Sequence, residues 1–188
     1  MGLLPPTAAW AQGSPSLGSD GMVGAEARMG PGLTQLRGSV VPVARGMLAL
    51  DLSSWFSLGG EAVLPLSEVR AAGPASPDRS ELTLRYGGLR LALRRPDLGE
   101  ADPWRLSLLL GTGTARVHST LLDTELASDN FVVLEPALER RIGEFGPFLV
   151  DGLAAYRLPL GAENLPGVRA SELGGASIAV TVSLVRNP

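Results

Sequence analysis

Along most of this chain, apolar residues alternate with small or polar ones in stretches of about a dozen residues. A period of two marks extended chain with two unlike faces. Eight stretches read as strands: 22–29, 38–50, 55–66, 81–94, 104–117, 130–142, 146–158 and 176–186. Gly and Pro interrupt nearly every window long enough for a helix. The pattern predicts an all-β chain: an eight-stranded antiparallel up-and-down β-barrel, a meander. Strands of about ten residues or slightly more can cross a bilayer when tilted.

The breaks predict the topology. Asp51–Ser54 and Gly143–Phe145 are short, and Arg95–Pro103 is of middle length and holds the turn signal Pro96-Asp97-Leu98-Gly99. The breaks after the first, third, fifth and seventh strands read as longer or richer in breakers, as in Ser67–Ser80, His118–Asp129 and Pro159–Gly175. Short turns at one end and long loops at the other are the layout of outer-membrane barrels, with both termini on the periplasmic side.

The faces follow from parity. Leu106, Leu108 and Leu110 share one face, and Ser107, Leu109, Gly111, Gly113 and Ala115 the other. Val132, Leu134 and Leu138 oppose Glu135, Ala137 and Glu139. Phe148, Val150 and Tyr156 oppose Asp151 and Arg157, and Ile178, Val180, Val182 and Leu184 oppose Ser177, Thr181 and Ser183. The second face is mostly Gly, Ala, Ser and Thr, which suits the inside of a narrow barrel better than a solvated exterior.

Single charges punctuate that small-residue face: Glu26, Arg28, Arg45, Glu61, Arg90, Glu135, Glu139 and Asp151. An Arg facing lipid at the midplane costs roughly 2–4 kcal/mol, so these side chains are expected to point inward. Buried there, they must pair. The expectation is an interior ion-pair network centred on Glu61, Arg90 and Glu135, joined by Arg28, Arg45, Glu139 and Asp151, which fills the lumen and blocks a wide pore. Two other readings make them polar contacts in a ligand pocket, or charges on the solvated outside of a soluble barrel.

Composition narrows the function classes. The chain has 188 residues, 45% of them hydrophobic, yet no run of about 18 apolar residues that would form a transmembrane helix. A net charge of -3 argues against a nucleic-acid footprint. There is no cysteine, so disulfides, thiol catalysis and thiolate metal sites are excluded. With one histidine and no calcium-loop or phosphate-loop motif, neither a metal site nor a cofactor is expected. His118 beside Ser119, with Asp123 nearby, is the one constellation with nucleophile chemistry, but adjacent strand residues point to opposite faces. Aromatics make up 5% of the chain, which predicts thin aromatic girdles.

At the N-terminus, Ala9-Trp10-Ala11 followed by Gln12 reads as a signal-peptide cleavage site, with Leu3-Leu4 upstream. The expected organisation is a clipped signal remnant and flexible segment over 1–21 and a single barrel domain over 22–188. The other reading of the first segment is an ordinary Gly/Ser/Pro-rich tail.

Several stretches carry a resemblance. Leu33-Thr34-Gln35-Leu36-Arg37-Gly38 resembles the first-loop motif of uncharacterised small outer-membrane β-barrel-like proteins of Gram-negative bacteria. Tyr86-Gly87-Gly88-Leu89 with the Leu106–Gly113 strand, and Phe131-Val132-Val133-Leu134-Glu135-Pro136 with Ala155-Tyr156-Arg157, are similar to the middle of that family. Asn164-Leu165-Pro166-Gly167 through Ser171-Glu172-Leu173-Gly174-Gly175 is similar to its last loop. The resemblance implies a barrel of the cell envelope and brings no activity with it.

The sequence therefore points to a monomeric outer-membrane barrel without catalysis, in contact with outer-membrane lipid and offering its long loops to a surface partner. The alternatives are a soluble periplasmic, lipocalin-like barrel that binds a small apolar ligand, and a lipid-modifying barrel enzyme built on His118.

Overall fold

The computed structural model describes residues 24–70, 80–95, 103–119, 121–165 and 167–186. The proposed signal remnant lies outside them. The strands are β1 (Gly24–Leu36), β2 (Ser39–Asp51), β3 (Phe56–Pro65), the two-residue β4 (Val69–Arg70), β5 (Ser80–Leu93), β6 (Trp104–Ser119), β7 (Thr124–Phe145), β8 (Phe148–Leu160) and β9 (Gly175–Arg186). One helical turn, α1 (Ala170–Leu173), lies between β8 and β9. Each strand pairs antiparallel with its chain neighbour, β3 pairs with β5, and β1 pairs with β9. The result is a closed eight-stranded meander, with β4 a short continuation of the β3 path.

Four of the expected boundaries change. The first strand does not stop at Met29, because its ladder to β2 runs unbroken through Gly30, Pro31 and Gly32. Only the ladder to β9 skips Gly30 and Pro31, so the missing N–H of Pro31 falls where no partner is needed. The expected longer break after this strand is a two-residue hairpin turn, Arg37-Gly38, with φ of 51° and 77°. Two positive φ values are what a type I′ turn requires. The stretch expected as a loop over His118–Asp129 is mostly strand, turning only between Ser119 and Thr124. At the other end of the barrel the expected break Gly143–Phe145 belongs to β7, and Gly146-Pro147, expected within the next strand, makes the turn to β8, with Gly146 at φ 61°.

The wall bends where inward positions lack side chains. A Cβ on Gly88 would collide with the carbonyl oxygen of Leu110, and one on Gly111 with that of Gly87. Gly88 and Gly111 are direct cross-strand partners, so the two backbones approach closely at one point of the wall.

Burial alternates as parity demands. Leu106, Leu110, Leu138, Tyr156, Ile178 and Leu184 are exposed on the outer wall, while Ser107, Leu109, Glu135, Glu139 and Ser177 are buried inside. The interior has two halves. Toward the end with Gly24 and Arg186, the near end, it is charged. Toward the far end it is apolar, packed from Leu36, Val43, Val63, Leu82, Leu84, Val117 and Phe131. The β8–β9 connection folds into this far half and adds Ala162, Leu165, Val168 and Leu173.

Substituting Gly88 by Val is expected to destabilise the barrel by at least about 1–3 kcal/mol, since neither neighbour in that clash can move freely. Gly60→Val, where a Cβ meets nothing within 4 Å, serves as the tolerated control. The folded fraction after refolding into detergent micelles, read by gel mobility and circular dichroism, checks both.

Candidate functional site

Inward parity on every strand aims the charged side chains at one another. Arg45 from β2 donates through Nη2 to Glu135 Oε1 at 2.6 Å and through Nη1 to Glu61 Oε1 at 3.0 Å. Arg90 from β5 donates through Nε to Glu61 Oε2 and lies 3.3 Å from Glu135 Oε1 through Nη2. The Tyr86 hydroxyl donates to Glu135 Oε2 at 2.6 Å. Glu61 and Glu135 thus each meet both Arg45 and Arg90. All four are buried, with Glu135 fully so.

A second cluster sits toward the near end. Arg28 lies 2.6 Å from Glu26 Oε2 and 2.6 Å from Glu139 Oε2, and 3.9 Å from Asp151. Arg105 reaches Glu26 at 3.5 Å. The clusters meet at Ser107, which accepts from Arg90 Nη1 at 2.6 Å and donates to Glu139 Oε1 at 2.5 Å. Glu61, Arg90 and Glu135 lie in the first cluster with Arg45, and Arg28, Glu139 and Asp151 lie in the second. The near end is less completely satisfied, since Glu26 Oε1, Arg28 Nε, Asp151 Oδ2 and Ser183 Oγ have no hydrogen-bond partner.

Sequence reasoning missed Arg105, Tyr86 and Ser107 as members. All three share the parity of the inward faces of their strands, Arg105 two residues before Ser107 and four before Leu109, so the signal was available. Arg157 is also buried but plays another part. It donates to the carbonyls of Leu173 at 2.6 Å and Gln35 at 2.9 Å, and its guanidinium lies 5.3 Å from the Tyr86 ring centre. It thereby ties the β8–β9 connection to the rim of β1. Arg37 adds a backbone bond to Glu172 O at 2.9 Å and an ion pair to its carboxylate at 3.5 Å.

The free space inside the network is about 20 Å³, bordered by Arg28, Arg45, Glu61, Arg90 and Glu139. That is of the order of one water molecule, too little for an organic ligand. The charges thus border no space for such a ligand in this structure, and they lie inside the barrel rather than on a solvated exterior. Among the described residues, no three His, Asp or Glu side chains are grouped to hold a metal ion.

The hydrolase-like constellation does not assemble. Ser119 is fully buried and its Oγ accepts the N–H of Leu122 at 3.3 Å, while His118 lies on the other face, 3.6 Å from the fully exposed Asp123. The expected His118–Asp129 loop is likewise split, with Glu125 and Asp129 in β7. Asp129 accepts the N–H of Asn164 at 2.9 Å and that of Asn130 at 2.9 Å, which holds its carboxyl below the usual carboxylate range.

The outer wall has its own order. Trp55, Phe56, Trp104, Phe145 and Phe148 all stand at the near-end strand termini, with the Arg140 guanidinium 4.9 Å above the Trp104 ring. Most of the outward aromatics among the described residues are thus on this rim, with Tyr156 toward the far end of the wall. Between this rim and the cross-strand row Arg85–Thr114–Asn130, the outward residues of β5, β6 and β7 carry no charge.

An eight-stranded closed meander with a filled lumen is the class this architecture defines. Structures of that class match it. The chain is similar to Ail, the attachment invasion locus protein of Yersinia pestis, solved in complex with the heparin analogue sucrose octasulfate, with a TM-score of 0.55, 9% identity and coverage of 89% of this chain and 100% of that one. It is also similar to the N-terminal β-barrel domain of Pseudomonas aeruginosa OprF, with a TM-score of 0.51, 10% identity and the same two coverages, 89% and 100%. No family model and no curated protein matches the sequence. At these identities the likeness is one of fold.

Replacing Glu135 by Leu leaves Arg45 and Arg90 short of a shared buried acceptor and is expected to cost about 3–5 kcal/mol. Breaking the exposed Arg116–Glu125 pair, 3.6 Å apart, by Arg116→Gln is expected to cost under about 1 kcal/mol. Urea unfolding midpoints of the two variants check the contrast.

Proposed function

We propose that this chain is a small outer-membrane β-barrel of a Gram-negative cell envelope, with a structural or surface-interaction role and no catalysis. The observation that carries this reading is the outer wall. Its exposed leucines, valines and isoleucines form a band without charges, bounded by aromatics on one rim and by Arg85, Thr114 and Asn130 above. Such a band is costly in water and matched to lipid. The aromatic rim, which also carries both barrel ends of the chain, then faces the periplasm.

The lumen network has a structural role in this reading. It cross-links strands that are far apart in sequence, and together with the apolar far half it leaves no passage for bulk transport. The soluble lipocalin-like alternative needs the leucine face to line a cavity. Leu106, Leu110, Val180 and Leu184 instead lie on the outside, from 47% to 64% exposed, which counts against it.

The surface-interaction part rests on the far end. β7 continues past its last pairing with β8, Val132 with Leu160, so Thr124–Phe131 is backed by β6 alone. The β6–β7 hairpin therefore stands above the apolar band, with Leu121, Leu122 and Leu126 exposed near its tip. The β8–β9 connection, by contrast, is packed into the mouth. Among the described residues, this hairpin is the surface a partner would meet.

Leu108→Arg or Val180→Arg is expected to impair membrane assembly, by about 2–4 kcal/mol if the site lies near the midplane. Envelope fractionation, with gel mobility of boiled and unboiled membrane samples, checks it. Recovery of the unmodified protein as a soluble periplasmic species would overturn the membrane reading.

A further inference from the structure

The outer wall carries a groove of about 790 Å³ that crosses β3, β5, β6, β7 and β8. The small cross-strand partners Ala62 and Gly87 leave its floor low, Leu64, Val132 and Leu160 give it apolar lining, and Thr112 also borders it. Its upper lip is polar. Arg85, Thr114 and Asn130 stand in one cross-strand row on adjacent strands.

This lip is built of donors. The Thr114 hydroxyl donates to Asn130 Oδ1 at 2.9 Å, which leaves the Asn130 amide nitrogen free to donate elsewhere. Arg85 is exposed and forms no ion pair or hydrogen bond with any described residue. Asp129, the carboxylate next to Asn130 in the chain, is already bonded to the N–H groups of Asn130 and Asn164. Below Arg85, the outward residues of β5 are Gly87, Leu89, Leu91 and Leu93, so the cation sits at the upper boundary of the uncharged band.

We propose that this groove binds a phosphate-bearing membrane lipid, with the phosphate on Arg85 and Asn130 and an acyl chain against Leu64, Val132 and Leu160. The inference rests on the membrane reading given above. Guanidinium and amide donors are complementary to phosphate oxygens, and an unpaired arginine at the edge of an apolar band lies at headgroup depth. A zwitterionic lipid can offer the same chain but surrounds its phosphate with its own cation, so the site discriminates by net headgroup charge.

The test uses the full chain reconstituted into phosphatidylcholine vesicles, with or without a minority of phosphatidic acid. Flotation reports insertion, and native mass spectrometry after mild extraction reports retained lipid. The wild type is expected to retain phosphatidic acid in preference to phosphatidylcholine, and Arg85→Gln to weaken that retention about tenfold. Ala62→Phe, which fills the floor and leaves every donor in place, is expected to weaken it too. Excess inorganic phosphate is expected to leave the lipid bound. Equal retention by the wild type and Arg85→Gln in protein that floats would overturn the site alone. Full displacement by inorganic phosphate, or retention indifferent to Ala62→Phe, would overturn the acyl-chain half. Failure to float would overturn the membrane reading and this site with it.

Discussion

Buried charge in a closed barrel is the constraint on which the rest of this structure depends. Four arginines and five carboxylates, Arg28, Arg45, Arg90 and Arg105 with Glu26, Glu61, Glu135, Glu139 and Asp151, share a lumen too narrow to hydrate them. Each is tolerable only because partners arrive from other strands. Arg45 and Glu135 meet across 90 residues of chain, and Arg28 and Glu139 across 111. Such pairs exist only when the sheet is closed and in register. A slip of one residue on any strand that carries them would turn its charges out toward the apolar wall and its apolar residues into the lumen. The pairs thus demand one register of the closed sheet as well as filling its lumen.

Closing so small a barrel around these side chains also demands local concessions from the backbone. Gly88 and Gly111 let two strands approach where any Cβ would meet a carbonyl. Pro31 and Pro136 sit where one ladder is interrupted: Gly30 and Pro31 are skipped by β9, and Glu135 and Pro136 by β8. A proline in a central strand is normally a contradiction, because every strand in a closed barrel has two neighbours. Here the interruption removes the demand for its N–H on one side while the other ladder holds the strand in place.

These concessions explain what could and could not be read from the residues. The period of two was legible for nearly every strand, because the inner face is small or charged and the outer face apolar. It placed Leu106 outside and Glu135 inside without knowledge of the fold. Gly30-Pro31-Gly32 read as a break because local rules treat Pro and Gly as punctuation, and only the interrupted β9 ladder shows why the strand continues. The β6–β7 hairpin read as a loop because Asp123, Glu125 and Asp129 are polar. That polarity reflects height above the apolar band rather than loss of strand. Inward direction was legible for the charges, and so was the grouping of Glu61, Arg90 and Glu135, but individual pairs such as Arg28 with Glu139 depend on shear and register, which no single strand encodes.

The two halves of the lumen divide the work by position. The near half is held by directional ion pairs, which fix the strands but leave several polar atoms unsatisfied. The far half is held by apolar packing, sealed by Ala162, Leu165, Val168 and Leu173 and anchored through Arg157 and Arg37. Apolar packing tolerates volume-conserving swaps, whereas a charge network loses a partner with each one. The β5–β6–β7 sheet that rises above the band is continuous with the apolar half, through Leu82, Leu84, Ala115 and Val117. A barrel organised this way can vary what it presents at the far end without disturbing the register that keeps it closed. That separation suits a scaffold whose fold is set in one half and whose exposed surface is set in the other.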